Sequence, residues 1–181
     1  MHRKFTILIA DDEEAIRELL CIELEPTGAR LITAQDGQVA VDLVRTTAVD
    51  VALVDVRMPR IDGIKALELI RELSPDTVCI ILTGNRDLDT VKACLRAGAY
   101  DFLEKPYDHE LLLSTVKRAL EKSLFQRERR EFLEYLVCEF TSVTPEAFRA
   151  LEPRKQAEIL GIARGAFRLK AANRSAQGTC S

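Results

Sequence analysis

The chain has 181 residues, 47% of them hydrophobic and 30% charged, with a net charge of −3. That is a globular composition, and no apolar run approaches the roughly 20 residues that cross a bilayer, so no membrane-spanning helix is expected in these residues. Five cysteines (Cys21, Cys79, Cys94, Cys138, Cys180) without C-x-x-C spacing and only two histidines, His2 and His109, exclude a disulfide framework, a zinc site and His-based chemistry, and fit a reducing cytoplasm.

The start, MHRKFTILIADDEE, places basic residues before a short apolar run, but acids follow at once and no small-residue cleavage site appears. No signal peptide is expected there. The first strand is FTILIA (5–10), and EEAIRELLCIEL follows as a helix with Ile16, Leu19 and Leu20 on one stripe. After Pro26-Thr27-Gly28 comes a second strand, RLITA (30–34), then the helix GQVAVDLVRTT with Val39, Ala40, Leu43 and Val44 facing inward. VALV (51–54) makes the third strand and IKALELIREL the third helix. Beyond Ser74-Pro75-Asp76, VCIIL (78–82) is the fourth strand and LDTVKACLRA the fourth helix; AYDFL (99–103) is the fifth strand. DHELLLSTVKRALEKSLFQRERREFLEYLVCEF holds no Pro or Gly and reads as one helix to about Phe140, with Leu111, Leu112, Val116, Ala119 and Leu120 on the sheet.

Strands 1, 3 and 4 are almost wholly apolar, as parallel strands covered on both faces are. Five β-α units of this size predict an α/β fold: a doubly wound five-stranded parallel sheet, flavodoxin-like, in the order 2-1-3-4-5. An extended C-terminal helix and a small all-α tail complete it. Such sheets bind ligands at the carboxyl ends of their strands. The out-of-place polar residues collect there: Asp11 and Asp12 after strand 1, Asp55 at the tip of strand 3, Thr83 at the end of strand 4, and Lys105-Pro106 after strand 5.

Two like unit charges 4 Å apart repel by about 4 kcal/mol at an effective dielectric near 20. Three gathered carboxylates therefore call for a cation, and an all-oxygen, partly hydrated site suits Mg²⁺. Asp55 can then act as a nucleophile toward a phosphoryl group. Lys105 and Thr83 supply the point charge and hydroxyl that phosphoryl oxygens need. Taken singly, Asp11 or Asp12 can equally cap the first helix with Glu14. Thr83-Gly84 can be a turn, and Lys105-Pro106 a loop with a solvated lysine; only joint placement at four strand ends separates the readings.

ILIADDEE, VALVDVRMPRIDG, ILTGN and AYDFLEKPYD together resemble the receiver domain of two-component response regulators, over about residues 4 to 121. The wording AYDFLEKPYD is most similar to receivers of the nitrogen-regulation type. The resemblance implies Asp55 as phosphoacceptor, with Asp12 binding Mg²⁺ directly, Asp11 through water, and the backbone carbonyl of Arg57 completing the protein ligands. It implies Thr83 and Phe102 as coupled switch residues, Lys105 as the phosphoryl-binding ammonium, and a cis Lys105-Pro106 bond. A sensor histidine kinase or phosphotransfer protein would be the partner, and a homodimer the expected activated state.

Haloacid-dehalogenase-type phosphatases also use a strand-end Asp with Mg²⁺, Thr and Lys. They need a second Asp two residues after the nucleophile, where this chain has Arg57; Asn85, two after Thr83, is no acid either. Without a positioned general base the acyl phosphate should persist, which suits a signal and not an enzyme.

The chain divides by pattern into a receiver (1–121), an extended signalling or dimerisation helix (122–140) and a basic helical segment (141–181). On the long helix Leu124, Phe125, Phe132, Leu136 and Phe140 form a candidate dimer seam, interrupted by Arg127-Glu128-Arg129-Arg130-Glu131 and lacking a clean heptad repeat. From Pro153 onward Arg154, Lys155, Arg164, Arg168, Lys170 and Arg174 face Glu158 alone, a net +5, so the rest of the chain carries −8. Thr144-Pro145-Glu146 starts a helix, and Pro153 opens another. A turn at Gly161 would set off a third, from about Arg164 to Ala172. AEILGIARGAFRLK (157–170) is similar to the Fis-type (factor for inversion stimulation) helix-turn-helix. That resemblance implies Arg164, Arg168 and Lys170 as DNA-facing residues. It departs from the pattern at Ala163, a poor cap, at Ala166 in place of Thr, and in lacking a Gly-Asn turn. The alternatives are one basic amphipathic helix, a frayed tail, and output through protein contact without DNA. No G-x-x-x-x-G-K-[ST] occurs in these residues, so an ATP-driven output is not expected.

Overall fold

The structure, a computed structural model, describes residues 4–84 and 88–177. His2, Asn85 and Cys180 lie outside the described residues. The elements run β1 (Thr6–Ala10), α1 (Glu14–Leu24), β2 (Arg30–Ala34), α2 (Gly37–Thr46), β3 (Val51–Asp55), α3 (Gly63–Leu73), β4 (Val78–Thr83), α4 (Leu88–Ala97), β5 (Asp101–Glu104), α5 (His109–Phe140), α6 (Pro145–Arg149) and α7 (Pro153–Gln177). They fall into two compact units, Met1–Phe125 and Gln126–Ser181, divided within α5.

In the first unit all five strands are parallel, in the order β2-β1-β3-β4-β5. Alternation along each strand sends side chains to two cores. Leu8, Ala10, Ala52, Val54, Cys79 and Ile81 join α2, α3 and α4; Ile7, Ile9, Val51, Leu53, Ile80 and Leu82 join α1 and α5. Each fully buried Ile, Leu or Val contributes about 1.5–3 kcal/mol, which is why β3 and β4 stay apolar up to the Asp55 and Thr83 that end them, and β1 after its first residue, Thr6. The stripes on the helices are nearly those expected. Leu19 and Leu111 are exceptions: both are exposed, and Leu24, Leu113 and the buried polar Thr115 and Ser123 complete those faces.

β5 grips α5 along the edge of the sheet. Arg118 pairs with Asp101 at 3.2 Å, and the Lys122 ammonium lies 4.3 Å from the Tyr100 ring centroid. On the same helix the Ser123 hydroxyl reaches Asp50 at 3.4 Å, while Asp50 also accepts from the Thr6 amide at 2.8 Å.

The second unit has its own core of Leu136, Val137, Phe148 and Ala163, with Phe140, Val143, Leu151, Ile159 and Leu160 packed against it. Thr144 caps α6 by accepting from the Ala147 amide, with Pro145 in the first turn. Arg149 binds Glu134 with two bonds, at 2.8 and 3.0 Å, and this pairing holds the Glu134 carboxyl below its ordinary pKa. Two expectations are corrected here. The turn at Gly161 does not exist, because α7 is one helix from Pro153 to Gln177. Ile159, Leu160 and Ala163 reach the core at helical spacing across that glycine, and no proline or capping side chain begins a new helix. The Fis-type helix-turn-helix is therefore absent. Likewise Leu136 and Phe140, two of the five residues of the candidate seam, are taken up by the chain's own core, whereas Phe125 and Phe132 remain exposed.

Candidate functional site

The carboxyl ends of β1, β3, β4 and β5 lie side by side, with Ala10 opposite Val54, Asp55 opposite Leu82, and Thr83 opposite Glu104. Asp55 is the last residue of β3 and only 6% exposed; Asp11, one residue beyond β1, is fully buried. Between them reaches the Lys105 ammonium, 2.5 Å from Asp11 Oδ2 and 2.6 Å from Asp55 Oδ1. The lysine is delivered by the strand ladder continuing past β5, where its amide donates to the Thr83 carbonyl at 2.8 Å. The Lys105-Pro106 peptide is cis.

Burial raises the Asp55 pKa, and the contact with Lys105 opposes that rise without cancelling it. Burial disfavours the Lys105 ammonium, but the Asp11 and Asp55 carboxylates outweigh it and hold its pKa above the ordinary value. The Arg57 amide donates to Asp55 Oδ2 at 2.6 Å, so the two Asp55 oxygens have different partners. Asp12, Glu13, Asp55, Val56, Arg57, Gly84 and Lys105 line an open cleft of about 250 Å³.

Capping does not use up the acids. The residue before α1 is Glu13, which makes no side-chain capping bond, and Asp11 Oδ1 accepts from the Glu13 amide at 3.0 Å. Asp12 is exposed at the cleft. Thr83 is buried at the end of β4, and Phe102, 42% exposed on β5, is not among the residues lining the cleft. Among the described residues no group of three or more His, Cys, Asp or Glu side chains is already gathered closely enough to hold a metal ion. Lys105 occupies the space between two of the three carboxylates. Arg164 and Arg168 lie exposed on α7, in the second unit, and Lys170 is paired there with Glu139 at 2.8 Å.

Reading the sequence missed Arg17, whose Nη1 donates to the Asp11 and Asp12 carbonyls at 2.9 and 3.1 Å. Its place on the first turns of the helix after an acidic pair is the one signal that pointed to it. A buried strand-end carboxylate held by a lysine from just beyond β5, two strands away, beside further acids and an open cleft, has the chemistry to receive a small, highly charged group.

The family model for the response regulator receiver domain matches residues 7–117. The chain belongs to this family. Its receiver is 37% identical over 131 residues to a cyclic di-GMP phosphodiesterase of Thermotoga maritima, covering 72% of this chain and 35% of that protein. It is also 37% identical over 124 residues to the regulatory protein AtoC of Escherichia coli, covering 68% of this chain and 27% of that protein. The chain thus spans about a third or less of these relatives. Among solved structures, the signal receiver domain of an HD domain-containing protein from Pseudomonas fluorescens superposes with a TM-score of 0.68 at 33% identity, covering 71% of this chain and 96% of that one. NtrX from Brucella abortus gives 0.65 at 31%, covering 72% of this chain and 30% of that one. Receivers of this family work in phosphorylation-driven signalling and are regulatory. Among the described residues no helix is long and apolar enough to cross a membrane.

Proposed function

We propose that this receiver accepts a phosphoryl group on Asp55 from the phosphohistidine of a sensor histidine kinase or phosphotransfer protein, and that the modified pocket alters the output of the C-terminal helices. The observation carrying this reading is the buried Asp55 carboxylate held against Lys105 beside Asp11, at an open cleft.

The donor set suits Mg²⁺. Asp11, Asp12, Asp55 and the Arg57 carbonyl are hard oxygen donors, and an ammonium already stands as a cation against two of them. Bound there, the ion would offset the carboxylate charge and shield the approaching phosphoryl oxygens. An Asp55 oxygen attacks phosphorus, the phosphorus–nitrogen bond breaks, and its electron pair leaves with the imidazole, which takes up a proton. The Arg57 amide orients the carboxylate through Oδ2. Lys105 and the Thr83 hydroxyl receive the phosphoryl oxygens, and Phe102 moves inward as Thr83 is drawn to the phosphate. Arg57, two residues after Asp55, offers no base for hydrolysis, so the mixed anhydride persists as a signal.

For output, protein contact is favoured over DNA. Lys170 is tied to Glu139, and α7 has no turn to set off a recognition helix. Phe132, Tyr135, Ile162 and Leu169 are exposed in the second unit. The proposed partner is a second copy of the chain, since exposed Glu128, Arg129 and Glu131 offer both signs of charge to a two-fold mate.

The test adds beryllofluoride, a phosphoryl mimic, with Mg²⁺ to wild type and to Asp55→Asn. Shifts of Thr83 and Phe102 resonances and a rise in sedimentation toward a dimer are expected in wild type alone. Equal responses in both proteins would remove Asp55 from the account. Steeply salt-dependent DNA retardation without any change in oligomer size would reverse the output reading.

A further inference from the structure

The segment after Asp55 is braced from outside the pocket. Arg60 is the one non-glycine among the described residues with a positive φ, 66°, a left-handed conformation uncommon for such a side chain. Its guanidinium forms an ion pair with Asp36 Oδ2. Asp36 is 3% exposed, and its other oxygen caps α2 by accepting from the Val39 amide at 2.9 Å. At Gly37, the next residue, a Cβ would run into the Ile61 carbonyl, so the loop lies directly on the first turn of α2. Neither Arg60 nor Asp36 lines the cleft. Between the brace and Asp55 lies Arg57, whose amide holds the Asp55 carboxylate, and the Gly63 amide closes the loop onto the Val56 carbonyl at 2.9 Å.

We infer that Arg60, acting through Asp36, is a positioning residue that fixes the loop carrying the Arg57 carbonyl, and so sets the affinity of the pocket for a divalent cation. This inference rests on the phosphoacceptor reading. A glycine would adopt the left-handed backbone at less cost, so what the arginine adds is its side chain. Without the guanidinium, a buried carboxylate oxygen of Asp36 loses its cation, and the loop keeps the apolar packing of Met58 and Ile61 and the close approach of Ile61 to Gly37 but loses its ionic tie to α2. Groups that orient a metal ligand from outside its shell change affinity even though they never touch the ion.

The experiment titrates Mg²⁺ into the 181-residue chain, reading nuclear resonances of the loop, for wild type, Arg60→Gly, Arg60→Lys, Asp36→Asn and the Asp36→Asn/Arg60→Gly double variant. Thermal denaturation without metal runs beside it. Arg60→Gly is expected to weaken Mg²⁺ binding about tenfold or more, with part of the affinity restored in Arg60→Lys. Asp36→Asn should lose a similar factor, and the double variant no more than either single one. Folded Arg60→Gly with wild-type affinity, or losses that multiply in the double variant, would overturn the inference while leaving the phosphoacceptor reading intact. A wild-type chain that binds no Mg²⁺ would overturn both.

Discussion

Lys105 carries the electrostatics of the pocket, with Asp11 and Asp55 both within 2.6 Å of its ammonium. Removing one partner of a buried charge group leaves the others uncompensated, so Lys105→Ala should cost about 3 kcal/mol at neutral pH by urea denaturation, with Mg²⁺ returning part of it. The pH dependence follows from the two shifts. The Asp55 pKa lies above its ordinary 3.8, so the protonated acid favours the folded state. That contribution is complete below the ordinary value and lost as pH rises through the folded one. Mild acid therefore narrows the gap between Lys105→Ala and wild type. The Lys105 pKa also lies above its ordinary 10.5, so its stabilisation is complete below that value and lost as pH rises through the folded one; alkali closes the gap from the other side. A gap that stays constant from pH 4 to pH 11 would contradict this assignment. Asp55, Asp11 and Lys105 were legible in the sequence because a polar residue at the end of an apolar strand stands out against its neighbours. Arg17 and Arg60 were not. Arg17 acts on backbone carbonyls, which no side-chain pattern announces beyond its place after the acidic pair, and Arg60 acts on an acid 24 residues away, a pairing that leaves no local pattern.

At the scale of elements, hydrophobic periodicity located all five strands to within about two residues, and the absence of Pro and Gly carried α5 to Phe140. The stripes at Leu19 and Leu111 were misassigned because several apolar residues crowd each helix and periodicity alone does not say which face turns inward. The C-terminal region was harder. Two glycines and a basic run resemble a turn between helices, whereas the deciding signal, Ile159, Leu160 and Ala163 at unbroken helical spacing across Gly161, is a packing property of the second core. Gly161→Ala separates the two arrangements. In a continuous helix a new Cβ at this position meets nothing within 4 Å, so the second unit should gain about 1 kcal/mol, read as a higher melting temperature and more helical circular dichroism. A loss of stability would restore the turn.

For the whole molecule, the pocket is built entirely from residues of the first unit, Met1–Phe125, while the second, Gln126–Ser181, has a separate apolar core. The charge division visible in the sequence maps onto this arrangement only in part. α7 is basic, but Lys170 is neutralised by Glu139 on the distal part of α5, whose Glu134 also pairs with Arg149 of α6. Charge counting along the chain could not see those pairs, since each joins residues at least 15 positions apart. The family and the sheet were therefore readable from strand-end chemistry, whereas the output surface depends on contacts that only the folded second unit defines. The central claim is that one carboxylate at the end of β3 takes up the phosphoryl group. Mass spectrometry of the intact chain after incubation with acetyl phosphate, followed by peptide mapping, tests it most directly. The account predicts a single Mg²⁺-dependent phosphoryl adduct on the peptide containing Asp55, absent from Asp55→Asn; an adduct on another residue, or none in the presence of Mg²⁺, would contradict it.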